Sequence, residues 1–146
     1  EIRYLTGPVS MSTSLPKPAQ QTIAGFYHAL FGNQESLVKP RLPFSFDPAA
    51  EFSQYHKVAD EAEYKQAVAG LKERLDELDV KLPVLYKQYV ELCEPGGCEF
   101  LGFNIDPQFS NCVDALILVH IDAIKEKKFQ RYTGCHADNS QQRRSA

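Results

Sequence analysis

Apolar side chains recur at helical spacing in three stretches of the chain and at strand-like density in three others. Ile23, Phe26, Tyr27, Leu30 and Phe31 predict an amphipathic helix over Ala19 to Phe31, started near Pro16 and Pro18 and ended by a left-handed stop at Gly32-Asn33. Tyr64, Val68, Leu71, Leu75 and Leu78, with charges between them, predict a second helix over Glu61 to Leu78. Pro83, whose missing amide proton is harmless in a first turn, opens a third over Val84 to Leu92.

The strands read differently. Ile2 to Met11 mixes β-branched, aromatic and small residues and stops at Ser12-Thr13-Ser14, which predicts a buried strand running into a turn. Pro95-Gly96-Gly97 breaks the third helix, Glu99 to Ile105 reads as a strand, and residues 106–111 read as a reversal. Val113 to Ile121 is the return strand. Its run Leu116-Ile117-Leu118-Val119 lacks polar alternation and predicts cover on both faces, as in the middle of an α/β sheet. Pro40, Pro43 and Pro48 interrupt the stretch after the first helix, where Leu37, Val38, Leu42, Phe44 and Phe46 still need cover from water, so an ordered crossover packed on the body is expected. Residues 1–134 form one predicted unit, and 135–146 a polar tail expected to be mobile.

Composition narrows the picture. The chain has 146 residues, 43% apolar and 24% charged, enough for one core without a disulfide or metal staple. The longest strongly apolar run near its end, Ala115 to Val119, is far short of a membrane span. A net charge of −3 argues against a general nucleic-acid partner, although Lys125, Lys127, Lys128 and Arg131 form a local basic cluster that reads as a solvated helix or turn face. Among four cysteines, the Cys93-Glu-Pro-Gly-Gly-Cys98 spacing is longer than a zinc knuckle and has no second matching pair, so no metal site is expected. A start without a charged-then-apolar leader predicts a reducing, cytoplasmic setting, with a peripheral position at the inner membrane as its variant. The chain opens at Glu1 directly on a strand-like segment, which predicts a beginning inside a domain.

Several of these residues together carry a family resemblance. Gly7-Pro8-Val9-Ser10 lies on the first strand. Leu82, Pro83, Leu85, Lys87 and Tyr89 form a Leu-Pro-x-Leu-x-Lys-x-Tyr helix, and a glycine-bounded hairpin follows with Asp106, Phe109, Asn111 and Asp114. This order resembles the C-terminal half of the GNAT-like N-acyltransferases that make ornithine lipids, relatives of the acyl-homoserine-lactone synthases, over roughly Tyr4 to Tyr132. The Gly-Pro-Val-Ser form is similar to longer bacterial proteins labelled hemolysins, in which such a domain is joined to a glycerophospholipid-type acyltransferase domain. The resemblance implies an α/β fold, a GNAT-like mixed sheet flanked by helices and present here as an incomplete, C-terminal portion. It departs from the family at two places. The preceding strand and pyrophosphate-binding loop, with its Arg-Ser element, would lie before Glu1, and Pro95-Gly96-Gly97 enlarges the turn after the helix.

The implied activity is transfer of a fatty acyl group from acyl carrier protein, or from acyl-CoA, to an amino-group acceptor in bacterial lipid synthesis. No tightly bound cofactor is implied, and the piece alone is expected to be inactive. Such transfer needs donors for the carrier's phosphate and carbonyl, a splayed strand pair admitting the acyl-pantetheine arm, and a group that takes the amine proton. On this view Ile2 to Val9 is an interior ribbon beside Val113–Ile121, and Gly7 and Ser10 border the thioester, Ser10 being otherwise a turn hydroxyl. Asp106 and Asp114 bracket a turn where partial burial would raise a carboxylate's proton affinity, or else cap that turn. Asn111 belongs to the same turn. Lys87 would meet an acidic carrier protein or a phosphate, or stand solvated, while Tyr89 packs inward. Histidine is the residue type suited to proton transfer near neutral pH, yet without a located partner His120 reads more often as a packed or edge residue.

No Gly-x-Gly-x-x-Gly loop, nucleophile elbow or His-Glu-x-x-His pattern occurs, which points away from nucleotide, serine-hydrolase and metalloprotease chemistry. The rival expectation is a non-catalytic, acyltransferase-like interaction module that docks a neighbouring domain, a membrane surface or a second copy through an exposed sheet edge. A toxin-like hemolysin is a third idea, without an amphipathic pore stretch to support it.

Overall fold

In the computed structural model, which describes residues 1–47, 52 and 60–134, one three-stranded sheet carries the fold. Strand β1 (Tyr4–Met11) leads to helix α1 (Lys17–Phe31), then α2 (Glu61–Asp76) and α3 (Val84–Leu92). Strands β2 (Cys98–Asp106) and β3 (Cys112–His120) form a hairpin, and α4 (Glu126–Thr133) follows. The strand order is β1-β3-β2, with β3 antiparallel to both neighbours, so the α/β class holds while the sheet is antiparallel in its described strands rather than mixed. The expected tail at 135–146 lies outside the described residues, as do Cys135 and Pro48.

The ribbon beginning the chain lies directly against the return strand, with Tyr4 opposite His120 and Met11 opposite Val113. Ile121 N–H donates to Arg3 C=O at 3.0 Å, so by the alternation of an antiparallel ladder Tyr4, Thr6, Pro8 and Ser10 turn their backbone groups away from β3. Pro8 therefore forfeits no ladder bond, which is why a proline is accommodated here. No strand covers that outer edge among the described residues. Only Val9 and Met11 of β1 are buried, which corrects the expectation of a buried strand.

Burial in β3 alternates. Val113, Ala115, Ile117 and Val119 are buried, while Asp114, Leu116, Leu118 and His120 are half-buried. One face thus meets the helices and the other stays partly open, contrary to the cover on both faces that the apolar run suggested. The run misleads because Leu116 and Leu118 sit on the open face and gain partial shelter from neighbours without a helical layer above them.

The covered face is built around aromatic rings. Phe100 is 1% exposed and lies 4.9 Å from Tyr27, 5.8 Å from Tyr86 and 6.0 Å from Phe103, centroid to centroid. α1 supplies Ile23, Phe26, Tyr27 and Leu30 to this core, and α3 supplies Tyr86 and Val90. α2 packs outside α1, where Tyr64 meets Phe31 and reaches Glu91 of α3. Its start is fixed by Asp60, whose carboxylate accepts from Glu63 N–H at 2.8 Å.

α1 does not end in a left-handed stop. Gly32 is extended (φ −62, ψ 138) and Asn33 N–H donates to Phe100 C=O at 2.9 Å, so an amide that a left-handed cap would turn back onto the helix's last carbonyls pairs with the edge of β2 instead. The crossover is ordered where it meets the same edge. Phe44 N–H donates to Phe103 C=O at 3.1 Å and Ile105 N–H to Leu42 C=O at 2.8 Å, and the Phe44 ring is buried. Leu37 and Leu42 remain exposed, so that cover is incomplete.

The Tyr27 hydroxyl is fully buried without a hydrogen-bond partner among the described residues, and burial pushes its proton affinity well above the usual tyrosine range. Tyr27→Phe removes this unsatisfied group while keeping the ring. It is expected to raise stability by about 1–3 kcal/mol in chemical unfolding, and a loss of stability would show that the hydroxyl has a partner in solution.

Candidate functional site

The open face of the sheet collects polar side chains at its two ends. At the hairpin end, Ser10, Asp114 and Asn104 lie in register across the three strands, with Cys112 and Asp106 beside them on the next pair. Ser10 Oγ donates to Asp114 Oδ1 at 2.5 Å, and the Cys112 thiol donates to the same oxygen at 3.4 Å. Asn104 is held by the crossover, its side-chain oxygen accepting from Leu42 N–H at 2.7 Å. Asp106 Oδ1 accepts from Gln108 N–H at 2.9 Å and so starts the 3-10 turn at Pro107–Phe109. Ser110 and Asn111 complete the reversal with positive φ, 53 and 58 degrees, a backbone conformation that asparagine tolerates well.

The structure thus brings Ser10, Asp106 and Asp114 to one end of one face, with Asn111 in the adjoining turn. It leaves Lys87 elsewhere. That side chain lies in the helical layer, on the other side of the sheet, 3.6 Å from Glu91 one helical turn on. Gly7 has its bare α-carbon beside open space, so packing alone does not demand a glycine there. Tyr89 is partly buried against the core, as expected.

At the other end of β3, about 20 Å away at roughly 3.3 Å per residue, His120 has a partner that the sequence did not reveal. Its Nε2 lies 2.6 Å from Glu99 Oε2, and the other Glu99 oxygen accepts from Asn33 Nδ2 at 3.0 Å. The Tyr4 ring stands edge-on to the imidazole at 5.1 Å. Arg3, Tyr4, Gly97, His120 and Asp122 line a cavity of about 380 Å³ beside this pair. A carboxylate against one imidazole nitrogen steadies the ring and favours the tautomer that carries its proton there. Glu99 faces Leu118 and is diagonal to His120, a relation set by strand register and not by sequence spacing.

The thiols are of two kinds. Burial pushes Cys98 up to about 12 and Cys93 up to about 11, the latter with Lys125 acting in the opposite sense. Cys112 is raised by burial and by its bond to Asp114. Tyr64 and Tyr86 are also pushed above the usual tyrosine range, chiefly by burial. All these groups keep protons in the folded state that the unfolded chain releases. Their contribution to stability is therefore intact below about pH 9 and declines as pH rises. Chemical unfolding midpoints should accordingly be flat up to that pH and fall beyond it, and a midpoint that rises there would contradict the assignment.

Comparison of the chain with protein-family models, curated proteins and solved structures finds no match in any of the three.

Proposed function

We infer that the chain is part of an N-acyltransferase that passes a fatty acyl group from an acyl carrier protein or acyl-CoA thioester to an amino-group acceptor. The observation that carries this reading is the Ser10–Asp114 hydrogen bond, placed one strand in from an uncovered sheet edge. The outward backbone groups of Tyr4, Thr6 and Ser10 offer donors and acceptors to an extended amide-bearing arm such as pantetheine. Asp114, oriented by Ser10, is the carboxylate available to an incoming amine at the end of that edge.

In this scheme the amine nitrogen attacks the thioester carbonyl carbon. Asp114 receives the proton that the nitrogen sheds, the carbon–sulfur bond breaks, and the carrier thiolate leaves and is protonated from solvent. The family resemblance of Gly7, Ser10 and the Leu82–Tyr89 motif supports the same reaction class, with the setting in bacterial lipid synthesis taken from that resemblance. The test is to incubate the full-length protein with an acyl carrier protein thioester and a panel of amino acids and amines. Amine-dependent release of the carrier thiol, with amide product, is the expected result. Release that does not depend on any amine would replace transfer by hydrolysis, and no release would sink the reading.

A second reading, an acyltransferase-like module that docks a neighbouring domain, is favoured by the same uncovered edge and by exposed Tyr4 and Leu5 on it. Size-exclusion of the chain with and without that neighbour separates the two, because docking requires a shift in elution whereas transfer does not.

A further inference from the structure

The helical layer leaves an apolar groove of about 440 Å³ between the start of β1, α3 and α4. Leu5, Leu85, Leu92, Ile124, Phe129 and Tyr132 are among the side chains lining it. Three of them stand largely in water, Leu5 at 50%, Leu85 at 53% and Tyr132 at 71% exposure, and Val84 beside them is exposed as well. Large apolar side chains gathered in one exposed patch mark an interaction surface.

The charges around the groove are equally uneven. Lys125, Lys127, Lys128 and Arg131 of α4 and its cap stand in a segment with one acidic residue, Glu126, although the chain as a whole carries −3, and Lys125 and Lys128 also share a cavity with Glu61 and Glu91. An adjoining depression of about 500 Å³ shares Gln88 with the groove and is lined by Lys72, Lys81, Lys87 and Lys128, opposed by Asp76 and Glu91. One of these lysines, Lys87, is neutralised in part by Glu91 at 3.6 Å. Four lysines against two carboxylates leave a net cationic border along one side of the apolar patch. α4 itself is amphipathic, with Phe129 and Tyr132 toward the groove and Lys127 and Arg131 exposed.

We propose that this face docks the chain on an anionic lipid bilayer, with Leu5, Leu85 and Tyr132 entering the headgroup boundary and the α4 cations meeting lipid phosphates. An apolar stripe bordered by lysine and arginine is the pattern that lies in the plane of a membrane interface. A tyrosine exposed at its rim suits that boundary, where the ring is sheltered and the hydroxyl stays wet. No helix among the described residues is long and apolar enough to cross a membrane, so the contact is peripheral at this face. The proposal does not depend on the acyl-transfer reading.

The test is co-sedimentation of the purified chain with vesicles of phosphatidylcholine alone and with vesicles of equal parts phosphatidylcholine and phosphatidylglycerol. Binding to the anionic vesicles, weak binding to the neutral ones, and release by salt are expected. Lys127→Gln with Arg131→Gln should weaken binding about 30-fold, at about 1 kcal/mol for each cation removed. Leu85→Ser should weaken it about ten-fold without changing the charge. Circular dichroism of each variant separates lost binding from lost folding. Equal binding to both vesicle types, or binding to neither, overturns the proposal. Retention on immobilised polyglutamate without vesicle binding also overturns it, in favour of an acidic protein partner.

Discussion

Phe100→Ala is expected to destabilise the protein by about 3–5 kcal/mol, the cost of emptying a large aromatic site that its surroundings cannot close. Phe100 is the point where α1, α3 and the sheet meet, with the rings of Tyr27, Phe31, Tyr86 and Phe103 around it. Tyr86 is fixed in turn by donating its hydroxyl to Val9 C=O at 3.2 Å, so the ring that would have to move into the cavity is tethered to β1. A loss of this size is a large part of the total stability of a domain of about 5–15 kcal/mol. Denaturant unfolding of the two proteins measures it. A change under about 1 kcal/mol would mean that these rings do not form one packed cluster.

The second large effect concerns chemistry. Asp114→Asn is expected to lower amine-dependent acyl transfer by about 10²–10⁴-fold, the usual range for a lost proton acceptor. The substitution is nearly isosteric, and the Asn oxygen can still accept from Ser10 Oγ, so the fold and the unfolding midpoint should be kept. The informative reading is the contrast between variants, since Ser10→Ala keeps the carboxylate and should lower the rate less than Asp114→Asn. Asp106→Asn, which still accepts from Gln108 N–H and sits on the strand farthest from β1, should lower the rate less. Transfer unchanged by both replacements would remove the two carboxylates from the mechanism.

Much of this architecture is legible in the sequence because local signals and tertiary packing agree. The α1 pattern from Ile23 to Phe31 and the proline-led start of α3 are read correctly, since their apolar positions are the ones that meet the sheet. The hairpin is also legible, with Asp106, Ser110 and Asn111 supplying the turn chemistry. Where reading fails, a distant partner decides. Gly32 is extended because Phe100 offers it an edge, and the Leu116–Val119 run conceals an ordinary alternation. α4 escaped as an element because its eight residues contain only two large apolar side chains, Phe129 and Tyr132, too few for a periodic signal.

The candidate site divides in the same way. Ser10 and Asp114 are recognisable as polar residues in strand-like surroundings, but that they touch follows only from β1 lying beside β3. His120 and Glu99 are twenty-one positions apart and meet across a ladder whose register shifts between Phe100 and Gly102. No spacing rule in the sequence predicts such a pair, because a one-residue bulge alters which side chains become neighbours.

Pro8 has a consequence for the chain in crowded surroundings. A naked β-ribbon tends to recruit identical ribbons and grow into fibrils, since each added copy finds an uninterrupted row of amides. Here the row is broken at its middle, and a copy stacked on β1 would bury a carbonyl of its own with no donor opposite. The proline ring therefore works against propagation of this margin as amyloid.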